Sequence, residues 1–129
     1  MQKIGFIGAG PMGRFQAGAF ASVRGCRVAA VADPSAAALA AFAELHPDAW
    51  TTDDSRQLFK DPDIDALVIA VPTHHHMSVA IAALKSKKPV LLEKPMARTV
   101  AECRRILKQA AASRTFLMVA HCRRFDRNW

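Results

Sequence analysis

The sequence predicts an α/β chain: a mostly parallel sheet of about six strands, doubly wound by helices, in a single domain. Three observations carry that expectation. Apolar segments alternate between strand-like runs and helical periodicity in the order βαβαβαβαβαβ. After their charged first residues the runs RVAAVA and DALVIAV are apolar throughout, as strands buried on both faces of a parallel sheet must be. With a helix between every pair of strands, right-handed crossovers leave a sheet covered on both sides.

Each element follows from its residues. Lys3–Ile7 is a short strand that stops in glycines, and Met12–Val23, rich in Ala and Phe, is the first helix. Arg24-Gly25 turns the chain into a second strand over Arg27–Ala32, which ends at Asp33-Pro34. Ser35 is a natural N-cap for an Ala-rich helix reaching Leu45. Trp50–Thr52 is at best a short strand, and Asp54–Phe59 gives a turn or two of helix. Asp65–Val71 is a strand expected to be buried on both faces of a parallel sheet, and Pro72-Thr73 opens a helix over His74–Lys85. Pro89–Leu92, Thr99–Ala112 and Thr115–Ala120 complete the order as strand, helix and strand.

Composition narrows the function classes. The chain has 129 residues, 51% of them apolar and 22% charged, enough for one domain with an ordinary core. No apolar run approaches the roughly 20 residues of a membrane helix, and the N-terminus lacks signal-peptide organisation. Three widely spaced cysteines, Cys26, Cys103 and Cys122, fit neither a disulfide framework nor a zinc ribbon, so a reducing cytoplasm is expected. The net charge of +7 is uneven. Residues 1–84 carry six basic and eight acidic side chains, whereas residues 85–129 carry twelve and three. Charge alone suggests a nucleic-acid binder, but the chain has no reading motif and no Tyr for stacking, so neither nucleic acid nor membrane is expected as a partner. Arg104, Arg105 and Lys108 are expected to lie away from an apolar helix face of Val100, Cys103, Leu107 and Ala110. Part of the basic surface is then expected to face a second domain or subunit.

The chemistry gathers at three places. Gly8-Ala9-Gly10-Pro11-Met12-Gly13 follows a strand, opens a helix, and has Asp33 twenty residues beyond at the end of the next strand. That is the pattern of a dinucleotide site. Gly8 permits the turn, Gly10 lets a pyrophosphate approach the backbone, and Gly13 lets the helix pack close. Amides of the first helical turn, around Pro11, Met12 and Gly13, face the phosphates. Asp33 accepts from a ribose diol and repels a 2′-phosphate, and no Arg follows it, so NAD is expected over NADP.

The second place is Val71-Pro72-Thr73-His74-His75-His76, beyond the carboxyl end of a strand, where ligand crevices open in such sheets. Adjacent imidazoles point about 100° apart on a helix and do not converge on one ion. A solvated helix start with one His turned into the crevice is expected, and no metal. The third is Glu93-Lys94-Pro95, which puts an ammonium at a strand's carboxyl end. Such a lysine can orient a substrate hydroxyl and stabilise developing charge on its oxygen. An ordinary loop salt bridge is the alternative.

GFIGAGPMGR, VAAVADP, DALVIAVPTHHH, KKPVLLEKPMARTVAE and MVAHCRRFDRNW, in this order, resemble the Gfo/Idh/MocA family of oxidoreductases over essentially all 129 residues. The resemblance implies an N-terminal Rossmann domain that binds NAD or NADP, in enzymes moving hydride to or from sugars, inositol-like polyols or related substrates. It places Gly8, Gly10 and Gly13 at the pyrophosphate and Asp33 at the ribose. It places Val71, Pro72, Thr73, His76 and Glu93 along the nicotinamide side. Lys94 becomes the catalytic lysine that touches substrate, Pro95 a cis proline, and Arg123 a substrate-side arginine. Lys87 stands where relatives usually have Gly, at a left-handed position costing about 1 kcal/mol, and Cys122 replaces a more usual Asn. Relatives continue into a second α/β domain with the acid/base partner, which this chain is expected to lack. It is therefore expected to bind NAD but to turn over little alone. A non-catalytic NAD-binding or regulatory module remains the alternative, and association of copies stays open.

Overall fold

The computed structural model describes residues 1–127; Asn128 and Trp129, the end of the last quoted motif, lie outside the described residues. The elements are β1 (Gln2–Ile7), α1 (Pro11–Ala21), β2 (Cys26–Ala32), α2 (Ala36–Leu45), β3 (Trp50–Thr52), α3 (Ser55–Lys60), β4 (Ala66–Ile69), α4 (His76–Lys85), β5 (Val90–Leu92), α5 (Val100–Ser113) and β6 (Leu117–Val119). All strand pairs are parallel, in the order β3-β2-β1-β4-β5-β6. The chain starts in the middle, winds outward to β3, then crosses back to β4 and winds the other way. The strand order therefore reverses between β1 and β4, and a crevice opens beyond their carboxyl ends.

Two apolar layers cover the sheet. On one face Ile4, Phe6, Val28, Val31 and Val68 meet Ala17 of α1 and Phe42 of α2. The Phe6 ring stands edge-on to Phe20 at 5.9 Å and tilted against Phe42 at 5.8 Å. On the other face Ile7, Leu67, Ile69, Val90 and Leu92 meet Leu58 of α3, Ala80, Ala83 and Leu84 of α4, and Ile106 of α5. Alternate residues of one strand thus feed opposite layers, Phe6 one and Ile7 the other, as the pleat requires. Covered on both sides, the sheet is doubly wound as expected.

Several boundaries differ from the sequence reading, and each has a local cause. Ser35 caps α2 by accepting from the Ala38 N–H at 3.2 Å. Asp54 and Thr99 do the same for α3 and α5, so both helices begin one residue later than the periodicity suggests. The helix expected from His74 starts as a 3₁₀ turn over Thr73–His75, and α4 proper begins at His76. A second 3₁₀ turn, Cys122–Phe125, follows β6 without any warning in the apolar pattern. Lys87 is left-handed at φ 62°, as expected, and the Lys94-Pro95 peptide is cis.

One expectation about α5 is corrected. Val100 and Leu107 are exposed, and the inward-facing stripe is the half-buried Cys103, the buried Ile106 and the half-buried Ala110. Ile106 and Ala110 turn inward together at i and i+4, which carries Leu107 out to the rim of the contact with α4. Arg104, Arg105 and Lys108 remain on the exposed side.

Candidate dinucleotide site

The crevice at the switch point has a volume of about 410 Å³. Asp33, Pro34 and Asp53 line one end, Gly8 and Gly10 the floor, and Val71, Pro72 and His75 the far wall. A second recess of about 180 Å³ shares Ala70, Val71 and Pro72 with it and adds Met12, Thr73, His76, Glu93 and Lys94. The two form one trough across the ends of β2, β1, β4 and β5.

The three motif glycines do three different jobs. Gly8 has φ +105°, and a Cβ there would lie 2.5 Å from the Ala70 carbonyl oxygen. At Gly13 a Cβ would lie 2.0 Å from the Gly8 carbonyl oxygen, so the helix can sit on the turn only without one. At Gly10 a Cβ would meet nothing within 4 Å. No packing within the chain demands a glycine there, and the open space lies at the N-cap of α1. The first-turn amides have no partner inside the helix, and their partial positive charge suits a phosphate.

Asp33 ties the turn it faces. One carboxylate oxygen accepts from the Ala9 N–H and the other from the Ser35 N–H, each at 2.8 Å. The side chain therefore holds the glycine turn and the start of α2 together while facing the crevice. Arg14 closes the same turn by donating to the Ala9 carbonyl at 2.8 Å. Asp53, which the motif search missed, adds a second carboxylate to this end. No sequence pattern marks it: it joins because β3 pairs with β2 in parallel, so the residue after β3 exits toward the same crevice as Asp33.

The Lys94 end is built from side chains. The Glu93 carboxylate accepts from the Lys94 N–H at 2.8 Å and from the Gln16 side-chain amide of α1. Gln16 carried no sequence signal, because its partner lies 77 residues away. The Lys94 ammonium has no hydrogen bond or ion pair among the described residues, which does not fit a loop salt bridge with Glu93.

The three histidines divide between solvent and the trough. His74 and His75 are exposed, their ring centroids 4.0 Å apart, and it is His75 that lines the larger crevice. His76 is 1% exposed, with Nδ1 2.8 Å from the Pro95 carbonyl oxygen and Nε2 2.9 Å from that of Val71. It borders the recess with both ring nitrogens already engaged. Among the described residues no group of three or more His, Cys, Asp or Glu is arranged to hold a metal ion.

Of the expected site residues, Gly8, Gly10, Asp33, Val71 and Pro72 line the crevice, and Met12, Thr73, His76, Glu93 and Lys94 line the recess. Pro11, Gly13 and Arg123 line neither. Pro11 fixes the first position of α1, and Gly13 works beneath the turn. Arg123 sits on the 3₁₀ turn after β6, 3.3 Å from Asp126.

A 3-2-1-4-5-6 sheet, a glycine turn opening α1 and an acid after β2 define a dinucleotide-binding Rossmann domain. The chain belongs to the Gfo/Idh/MocA oxidoreductase family, whose NAD-binding Rossmann fold matches residues 2–121. Over 126 residues it is 40% identical to an inositol 2-dehydrogenase of Acidothermus cellulolyticus, covering 96% of this chain and 37% of that protein. Over 127 residues it is 36% identical to inositol 2-dehydrogenase 1 of Saccharopolyspora erythraea, covering 96% and 38%. Among solved structures, myo-inositol dehydrogenase from Lactobacillus casei, in complex with NAD(H) and myo-inositol, superposes with a TM-score of 0.93 at 32% identity. That match covers 98% of this chain and 38% of the other. The chain thus spans under two fifths of the length of these relatives.

Proposed function

We propose that this chain binds NAD in preference to NADP and serves as the dinucleotide-binding part of an oxidoreductase acting on a ring polyol such as inositol. The observation that carries the reading is the cradle at Gly10. It is the one motif glycine whose missing Cβ leaves open space, and the amides of a helix start point into that space. Asp33 and Asp53 at one end disfavour a 2′-phosphate. The polyol rests on the inositol dehydrogenases named above.

The dinucleotide, when bound, supplies the hydride acceptor or donor. The chain's own residues do the rest of what this domain can do. Gly8, Gly10 and the first turn of α1 receive the pyrophosphate, and Asp33 receives the ribose. Thr73, Val71 and Pro72 wall the nicotinamide end. Lys94 reaches over it and, as the catalytic residue, orients and polarises the reacting substrate oxygen. Arg123 follows β6, the neighbour of the strand that delivers Lys94, and is the second substrate-side cation. A proton acceptor and most of the substrate wall belong to a further domain. The cytoplasm is the proposed location, given three free cysteines and no helix among the described residues long and apolar enough to cross a membrane.

Titration of the chain with NAD, followed by calorimetry and amide NMR, tests the reading. The expected result is saturable binding that shifts Gly10, Asp33 and Thr73, with NADP weaker by about tenfold, or about 1.4 kcal/mol. Silence at those residues removes the cofactor assignment, and equal affinities remove the NAD preference. Robust NAD reduction by the chain with a polyol would show that no further domain is needed.

A further inference from the structure

Lys94 is presented by a turn that is tied down on both sides. Before it, Glu93 accepts from the Lys94 N–H and from Gln16 of α1. After it, the Pro95 carbonyl lies 2.8 Å from His76 Nδ1. The other nitrogen of that ring lies 2.9 Å from the Val71 carbonyl, where the chain leaves β4 and lines both crevice and recess. Carbonyl oxygens only accept, and each imidazole tautomer carries one N–H, so the ring donates to one of the two carbonyls and packs its other nitrogen against the second. A flat ring, 1% exposed and caught between two backbone carbonyls, sets the distance between the segments that carry them. One segment is the wall of the recess and the other presents the lysine, whose ammonium is otherwise unheld.

We propose that His76 is a positioning residue for Lys94: bridging Val71 and Pro95, it fixes the lysine's turn against the wall of the nicotinamide end. The proposal rests on the dinucleotide reading above. It makes the histidine's contribution specific to one end of the ligand. Removing the ring takes away the bridge between the Val71 and Pro95 carbonyls and lets the Lys94 turn drift from β4, while the glycine turn and Asp33, held by their own bonds, stay in place.

The test compares NADH with ADP-ribose, which lacks the nicotinamide, by calorimetry on the 129-residue chain. Wild type is expected to bind NADH more tightly. His76→Leu is expected to lose about tenfold in NADH affinity, as one lost buried hydrogen bond allows, while ADP-ribose affinity stays within about twofold. His76→Gln, which keeps N–H donors, is expected to recover part of the loss. Lys94→Met is expected to show a similar loss, and the double variant His76→Leu/Lys94→Met no further loss, because both changes remove the same interaction. Equal weakening of both ligands, no weakening, additive losses in the double variant, or a wild type that does not discriminate the ligands overturns the proposal. Should His76→Leu fail to fold, the NADH to ADP-ribose ratio of His76→Gln decides: a reduced ratio supports the brace, and an unchanged one overturns it. A wild type that binds neither ligand overturns the dinucleotide reading instead.

Discussion

At the Asp33 end of the trough the surface offered to a ligand is backbone: a glycine turn, the first amides of α1, and a carboxylate that also holds the turn. At the Lys94 end it is side chain, with Gln16 from α1, Glu93 just after β5 and His76 from α4 supporting one lysine. The first end comes from two consecutive crossovers and is local in sequence. The second is assembled across 77 residues. A backbone site needs particular residues only where a Cβ would collide or block, so those few positions are sharply constrained. A side-chain site spreads its requirements over residues that individually look ordinary.

The largest effects should break the backbone end through folding. Gly13→Ala forces a Cβ to 2.0 Å from the Gly8 carbonyl oxygen. Gly8→Ala combines φ +105° with a 2.5 Å approach to Ala70. Each is expected to destabilise the chain by about 3 kcal/mol or more in urea unfolding. Gly10→Ala separates binding from folding: its methyl meets no protein atom, so stability should change by no more than about 1 kcal/mol. NAD affinity should nevertheless fall by at least about tenfold. If Gly10→Ala unfolds the chain while Gly13→Ala does not, the division of labour among these glycines is wrong.

Asp33→Asn sharpens the same end. The amide keeps one acceptor for the bonds to Ala9 and Ser35 but loses the charge that excludes a 2′-phosphate. NAD affinity is expected to drop about tenfold and the NAD over NADP preference to shrink, both read by calorimetry. Lys94→Met probes the other end. Its ammonium has no partner among the described residues, so stability should move by less than about 0.5 kcal/mol.

The smallest effects are expected from acid and lie outside the trough. Lys3, Arg56 and Arg98 hold the carboxyls of Asp63, Asp54 and Glu102 below their ordinary values of 3.8, 3.8 and 4.5. Groups lowered in the folded state add stability that is present above those ordinary values and lost as pH falls through the lowered ones. Burial holds the His46 ring below 6.5, so its protonation in the unfolded chain removes stability as pH drops below that value. Urea midpoints are expected to decline gently below pH 6.5 and more steeply below about pH 4.5. His46→Phe should flatten the upper part of that profile.

The difference between the two ends also explains what was legible in advance. Six strands, five helices, the glycine turn and Asp33 could be read because period, capping residue and Cβ exclusion act within a few residues. Lys87 could be read as left-handed only from the resemblance, in which glycine usually stands there. The stripe on α5 was misread by one position, since Leu107 and Ile106 are equally apolar and only contact with α4 decides which turns inward. The residues alone did not separate His75 from His76, though the resemblance pointed to His76. Both leave the strand at the crevice, and the carbonyls of Val71 and Pro95 select the second for burial.

The sequence by itself determined the alternation of strands and helices in a doubly wound sheet, the glycine turn, the acid after β2 and the presence of a lysine after β5. Each depends on steric or polar rules that span one turn or one strand. Tertiary structure alone decided that Asp33 ties the turn it faces, that Asp53 joins it, and that Gln16, Glu93 and His76 converge on Lys94. Those contacts exist because parallel strands bring their carboxyl ends to one edge of the sheet, and no local pattern records which side chains meet there.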